Sequence, residues 1–157
     1  MKPKLYLETS VVSYLTARPS HDLIRAAHQQ VTRDWWDTRS SFDLYVSQLV
    51  LDEAGAGDVE AASLRLAALR GVALLELTPE TGSLAREILR RGGMPAKAYL
   101  DAAHVAVAAV HGLDYLLTWN CTHIANASMR GKIENICRAA GLDPPAICTP
   151  IELVKEV

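Results

Sequence analysis

Short apolar runs alternate with longer stretches of helical periodicity along the whole chain. Apolar, strand-forming runs predict four strands and a short fifth, at 4–7, 43–47, 72–77, 114–118 and 146–148. Apolar residues three or four apart predict a first helix that begins at 11. The same spacing predicts further helices at 20–39, 48–54, 58–70, 80–91, 97–111 and 128–140, and a last helical turn at 151–153. Strands that alternate with helices form parallel sheets covered on both faces. We therefore expect a single domain over residues 1–157, a three-layer α/β/α fold around a mostly parallel sheet of four to five strands.

Polar residues at the predicted helix starts have side chains that can accept hydrogen bonds from free backbone N–H groups. Thr9 or Ser10 is predicted to cap the first helix, and Ser20 or Asp22 the second. Asp58 precedes the fourth predicted helix, so we interpret it as an N-cap rather than as a ligand.

Acidic and amide side chains stand where the predicted topology brings strand ends together. Glu8 directly follows the first strand, and Asn120 lies just beyond the fourth. Glu53 is on the short helix after the second strand, and Asp101 is one turn into the helix before the fourth. Open parallel sheets bind ligands outside the carboxyl ends of their strands. Three carboxylates and an amide oxygen suit Mg²⁺ or Mn²⁺ better than zinc, so the sequence predicts a metal site at this edge.

Each of these residues also has a structural interpretation, which the sequence leaves open. Glu8 could be an exposed acid at a strand end, and Asp52 competes with Glu53 for the second position. Asp101 could be a first-turn acid stabilised by the helix dipole. Asn120 could be a turn residue, a common role for asparagine.

Several hydroxyl and basic residues near the same edge are candidates for contacts with phosphate. Thr9 and Ser10, near a helix N-terminus, could offer a hydroxyl or a backbone N–H group. His123 is a candidate substrate contact or an ordinary loop residue. Lys97 and Arg130 are the basic residues closest to the predicted rim.

His104 lies one turn after Asp101 on the same face of the predicted helix. Two interpretations are open for it: a partner of that carboxylate or of substrate, and a packed core histidine. Trp35 and Trp36 lie on a long amphipathic helix, where a core or partner contact is a better interpretation than base stacking.

Charge, cysteine content and hydropathy indicate how the chain could bind nucleic acid and where in the cell it is expected. The net charge of −2 gives no overall basic field, so contact with nucleic acid would depend on a local basic face or on metal ions. Three cysteines without CxxC spacing favour reduced thiols over a disulfide framework. The chain shows no signal-peptide pattern and no apolar run of the ~18 residues that a membrane span needs. We expect a soluble, cytoplasmic protein with no membrane segment.

Three short runs together resemble a known family. YLETSVV at 6–12, LDAAH at 100–104 and LTWN at 117–120 resemble the PIN-domain family in order and spacing. The likeness is closest to the VapC-type toxin ribonucleases of type II toxin–antitoxin systems, and it covers essentially the whole chain. The ordered set of runs carries the resemblance, since no single run is diagnostic.

The resemblance assigns roles residue by residue. Glu8, Glu53 and Asp101 match three acids of the family, although the first is commonly aspartate. Asn120 stands where many members have a fourth acid, and an amide adds an oxygen but no negative charge. The resemblance implies an endoribonuclease that uses Mg²⁺ or Mn²⁺ to activate water.

The resemblance also implies partners: an RNA substrate, an antitoxin protein and a second copy of the chain in a homodimer. Two alternatives stay open. The chain could be a non-catalytic PIN scaffold that binds RNA or protein, or a PIN-like nuclease that acts on single-stranded or flap DNA.

Overall fold

The five strands form one parallel sheet, as the computed structural model of residues 1–154 shows. Residues 155–157, which end the predicted domain, lie outside the described residues. The strands are β1 (Lys4–Leu7), β2 (Asp43–Ser47), β3 (Ala73–Leu75), β4 (Tyr115–Leu117) and β5 (Ala146–Cys148). Their order across the sheet is β3-β2-β1-β4-β5, and each neighbouring pair is parallel.

Helices connect the strands and form two groups. The helices are α1 (Thr9–Thr16), α2 (Leu23–Trp36), α3 (Gln48–Ala54), α4 (Val59–Ala68), α5 (Pro79–Arg91), α6 (Tyr99–Val110), α7 (Ala127–Ala139) and α8 (Pro150–Leu153). Helices α1, α2, α3, α4 and α8 contact one another, and α5 contacts α6 and α7. Right-handed crossovers explain this division, because the chain reverses its direction of travel across the sheet after β3. The predicted three-layer α/β/α fold is confirmed.

The chain buries β1 and α6 most completely. Leu5, Tyr6 and Leu7 of β1 are fully buried, as expected for a central strand covered on both faces. Helix α6 is buried throughout 102–109, which explains its small and apolar sequence. Trp35 is also fully buried, in agreement with the core interpretation. None of the helices formed by residues 1–154 has the length and apolar character to cross a membrane.

The cap of the first helix differs from the prediction. Helix α1 begins at Thr9, and its N-cap is Glu8 rather than Thr9 or Ser10. The Glu8 carboxylate accepts a hydrogen bond from the Ser10 backbone N–H, because the strand ends one residue before the helix begins. The acid at the strand exit therefore also holds the first turn of the helix.

Other boundaries are shorter than predicted. The 20–39 helix is α2, which begins after Asp22, its side-chain cap, and ends at Trp36, before a short 3₁₀ helix at Arg39–Ser41. The 97–111 helix is divided into a 3₁₀ turn at Ala96–Ala98 and α6. Asp58 is confirmed as an N-cap, since its carboxylate accepts from Ala61 N–H.

Candidate metal centre

The centre lies at the carboxyl ends of β1 and β4, where the direction of strand order changes. β1 lies between β2 and β4, and the chain returns to pair β4 with β1 only after passing through β3. In open α/β sheets this switch point opens a crevice between the connections to either side. Glu8 follows β1 and Thr118 follows β4, so both residues lie at the crevice.

Glu8 is nearly buried and held by three donors. Its side chain accepts from Ser10 N–H at 3.0 Å through Oε2, and from the Ser10 and Thr118 hydroxyls, each at 2.5 Å, through Oε1. The Ser10 hydroxyl in turn accepts from the Trp119 backbone N–H at 2.8 Å. Glu8 is 6% exposed, which contradicts the interpretation of an exposed strand-end acid.

Glu53, rather than Asp52, faces the centre. Glu53 Oε1 accepts from the Thr9 hydroxyl at 2.7 Å and lies 2.5 Å from His104 Nε2. Burial raises the pKa of this carboxyl, but the hydrogen bonds from His104 and Thr9 and the attraction to the imidazole outweigh it and hold the pKa below its ordinary value. Asp52 is exposed and accepts from Gln48 on its own helix.

His104 is buried and bonded at both ring nitrogens. It is 1% exposed. Its Nδ1 lies 2.7 Å from the Tyr6 hydroxyl, which lies 2.8 Å from the Ser47 hydroxyl. The interpretation of His104 as a partner of Asp101 is therefore wrong: it pairs with Glu53, and it is at once a core residue and a site residue.

Asp101 pairs with a different histidine. Its Oδ2 lies 2.8 Å from His123 Nδ1. The His123 backbone N–H donates to Asn120 Oδ1 at 3.0 Å, and Asn120 N–H donates to the Thr118 hydroxyl at 2.9 Å. Asn120 thus acts as a turn residue that shapes the loop carrying His123.

The structure brings together part of the predicted ligand set. Ligand atoms of Glu8, Glu53 and His104 lie within 4.8 Å of one another, and among residues 1–154 this is the group that could hold a metal ion. Asp101 is not part of this group of three, and its Oδ2 lies beside His123 Nδ1. The Asn120 amide oxygen accepts from the His123 backbone N–H.

The residues of this group fit a divalent cation. In the described part of the chain no lysine or arginine pairs with Glu8 or Glu53. A bound cation would therefore offset the negative charges of the buried Glu8 and the half-buried Glu53. The hydrogen bonds described for Glu53 go to Oε1, which leaves Oε2 available as a ligand. Carboxylate oxygens suit Mg²⁺, and a neighbouring imidazole nitrogen is also compatible with Mn²⁺.

The residues predicted to contact phosphate differ in their partners and in their exposure to solvent. The Thr9 and Ser10 hydroxyls donate to Glu53 and Glu8, so they hold carboxylates in this arrangement. Lys97 is exposed in the 3₁₀ turn before α6. Arg130 is half-buried in the first turn of α7.

Three contributing residues escaped the sequence argument: Tyr6, Ser47 and Thr118. The first two are 41 residues apart and meet only because β1 and β2 pair in register. A weak signal was present, since Tyr6 and His104 each interrupt an otherwise apolar run with a polar group. Such a group needs a buried partner.

Comparison with known proteins identifies the fold. The PIN domain family model matches residues 5–120 of the 157. The crystal structure of Mycobacterium tuberculosis VapC20, described as a sarcin–ricin-loop-cleaving toxin, is similar with a TM-score of 0.59 and 19% sequence identity, over 88% of this chain and 96% of that chain. No curated protein sequence matches the chain significantly.

Proposed function

This chain belongs to the PIN-domain family, and from that premise we propose that it is a divalent-metal-dependent endoribonuclease. The observation that carries the proposal is the position of Glu8 and Glu53, with ligand atoms within 4.8 Å of each other at the strand-end crevice. Two carboxylates without a lysine or arginine partner among residues 1–154 are suited to a cation.

In the proposed reaction the protein positions carboxylates and substrate. When bound, Mg²⁺ or Mn²⁺ supplies a Lewis acid for the phosphodiester and lowers the pKa of an attacking water. Glu8 and Glu53 would hold the ion, and Ser10, Thr118 and Thr9 donate hydrogen bonds that fix these two carboxylates.

The Asp101–His123 pair has a separate role in this proposal. A carboxylate accepts hydrogen bonds, so His123 Nδ1 donates to Asp101 and leaves Nε2 for substrate or water. Lys97, exposed in the turn before α6, the helix that carries Asp101, is the proposed phosphate contact. Asp101 Oδ2 would then fix the imidazole orientation, and we propose that its other carboxylate oxygen completes the acidic edge that holds the ion with Glu8 and Glu53.

The test is loss of RNA cleavage in Asp101→Asn with the fold intact, as judged by thermal unfolding. We propose Asp143→Asn as the matched control, because Asp143 is exposed in the segment between α7 and β5. Unchanged cleavage by Asp101→Asn would contradict the assigned site.

Separate experiments test the two alternatives, a DNA nuclease and a non-catalytic scaffold. Competition between RNA and DNA oligonucleotides of one sequence separates a ribonuclease from a DNA nuclease. Calorimetric titration with Mn²⁺ separates an enzyme from a scaffold. Absence of binding, with no gain from Asn120→Asp, would favour the scaffold.

We further propose that the nuclease is the toxin of a toxin–antitoxin pair, that it acts in the cytoplasm and that it forms a homodimer. The similarity to a structure described as a toxin supports this part of the proposal. Growth arrest on expression, relieved by the product of a small neighbouring gene, is the expected result. Growth arrest that persists in Asp101→Asn would contradict a toxic nuclease activity.

A further inference from the structure

A continuous chain of hydrogen bonds runs from the buried core to Glu53. It passes from Ser47 at the end of β2 to Tyr6 in β1, and then to His104 in α6. His104 Nε2 reaches Glu53 Oε1 on α3, which the Thr9 hydroxyl also contacts. We call the residues Ser47, Tyr6 and His104 the relay. All three are at most 1% exposed.

The chemistry of the end group fixes the direction of the bonds. The Glu53 carboxylate can only accept, so His104 carries a hydrogen on Nε2 and donates it. A tyrosine phenol carries its proton at neutral pH and so can donate one hydrogen bond. In the neutral tautomer with its hydrogen on Nε2, the imidazole accepts at Nδ1, so the phenol donates there and its oxygen accepts from the Ser47 hydroxyl.

Stability alone does not account for the relay. Phenylalanine at position 6 and an apolar residue at position 104 would fill similar volumes and leave no polar group to satisfy. Replacing both partners of a buried polar pair by apolar groups of the same shape is often neutral or stabilising. The relay does one thing that an apolar core cannot do, which is to fix one oxygen of Glu53.

We propose that Tyr6 and His104 are positioning residues for Glu53. The relay holds Oε1 in a single orientation and thereby directs the second oxygen, Oε2, to the cation. Outer partners that orient a metal ligand commonly set affinity in this way. The proposal rests on the proposed function, because it takes Glu53 to be a metal ligand.

Two substitutions at position 104 separate positioning from packing. In His104→Gln the amide nitrogen occupies a place close to that of Nε2 and keeps a donor for Glu53, whereas in His104→Asn it corresponds to Nδ1 and the donor is lost. We expect His104→Asn to weaken Mn²⁺ binding by about 10- to 100-fold in calorimetry, and His104→Gln to retain most of the affinity. Equal losses in the two variants, or none in His104→Asn, would overturn the proposal. Equal losses would instead indicate that His104 acts through the packing of its ring or ligates the ion directly.

Tyr6→Phe tests the next link, with Tyr115→Phe as the matched control on β4. Loss of the phenol hydroxyl leaves Nδ1 without its donor, so Mn²⁺ binding should weaken in Tyr6→Phe and stay unchanged in Tyr115→Phe. Wild-type affinity in Tyr6→Phe would remove Tyr6 from the relay.

A metal-free measurement distinguishes failure of the relay from failure of the proposed function. The hydrogen bonds of Tyr6 go to Ser47 and His104, so any coupling between Tyr6 and Glu53 passes mainly through His104. We expect the shifts in melting temperature of Tyr6→Phe and Glu53→Gln to be non-additive in the double variant. Additive shifts would overturn the relay. A wild-type protein that binds no Mn²⁺ would contradict the proposed function, and this cycle would still test the relay.

Discussion

Two carboxylate–histidine pairs lie at the same edge of the sheet, and their histidines differ in how the protein holds them. His104, the partner of Glu53, is 1% exposed and is bonded on its far side to Tyr6. His123, the partner of Asp101, has a side chain that is 22% exposed and belongs to the loop after β4. The first histidine is fixed by side chains of the core, and the second by a turn that Asn120 organises through its amide oxygen.

This difference implies that one histidine positions a carboxylate and that the other contacts the substrate. A histidine that is buried and bonded at both nitrogens cannot reach a substrate, so we expect His104 to act through Glu53. A partly exposed histidine that is bonded at Nδ1 retains Nε2 for contact with RNA. We therefore expect changes at the Glu53 pair to alter metal binding, and changes at His123 to alter cleavage without altering metal binding.

The largest expected effect is that of Glu53→Gln. It removes a proposed ligand itself, so RNA cleavage should fall by more than the roughly 10- to 100-fold typical for loss of an outer partner. Mn²⁺ affinity should fall with it. Asp52→Asn is the matched control, because Asp52 is an exposed acid on the same helix. Equal activity of the two variants would remove Glu53 from the site.

A smaller effect is expected from His123→Ala. Cleavage should fall about tenfold, at the lower end for loss of a hydrogen bond to a charged phosphate, while Mn²⁺ affinity stays at the wild-type value. Melting temperature should change little, since substitutions near the surface usually alter stability by less than about 0.5 kcal/mol. His111→Ala, at the opposite end of α6, is the control. A loss of Mn²⁺ binding in His123→Ala would erase the distinction between the two pairs.

The sequence predicted the parts of this molecule that depend on local pattern. Alternating runs predicted the parallel sheet and its helices, and the family model and the solved structure confirm the PIN family and the fold. The placement of Glu8 at a strand exit follows from the same pattern, because the strand is buried and the next residue begins a helix. Pattern cannot show that this acid also caps the helix.

The pairing of side chains across the chain could not be predicted. Tyr6 and His104 are 98 residues apart, and Glu53 and His104 are 51 apart. Asp101 and His104 are three residues apart on one helix, which left open a pairing that the structure does not contain. The pairing of each histidine depends on where α3 and the loop after β4 lie around α6. These positions are set by tertiary packing, which local sequence patterns do not show.

The smallest expected effect is a dependence of stability on pH. The folded pKa of Glu53 is below its ordinary value of 4.5, so its ionised form stabilises the fold above about pH 4.5, and that contribution is lost as the pH falls through the lowered pKa. Its side chain is 32% exposed, so solvent screens the pair and the contribution is modest. Below about pH 4.5 the melting temperature of metal-free wild type should therefore fall more steeply than that of Glu53→Gln, which cannot lose this charge. Parallel curves for the two proteins would show that the bonds from His104 and Thr9 do not favour the ionised carboxylate, and the contrast between the two pairs would then rest on burial alone.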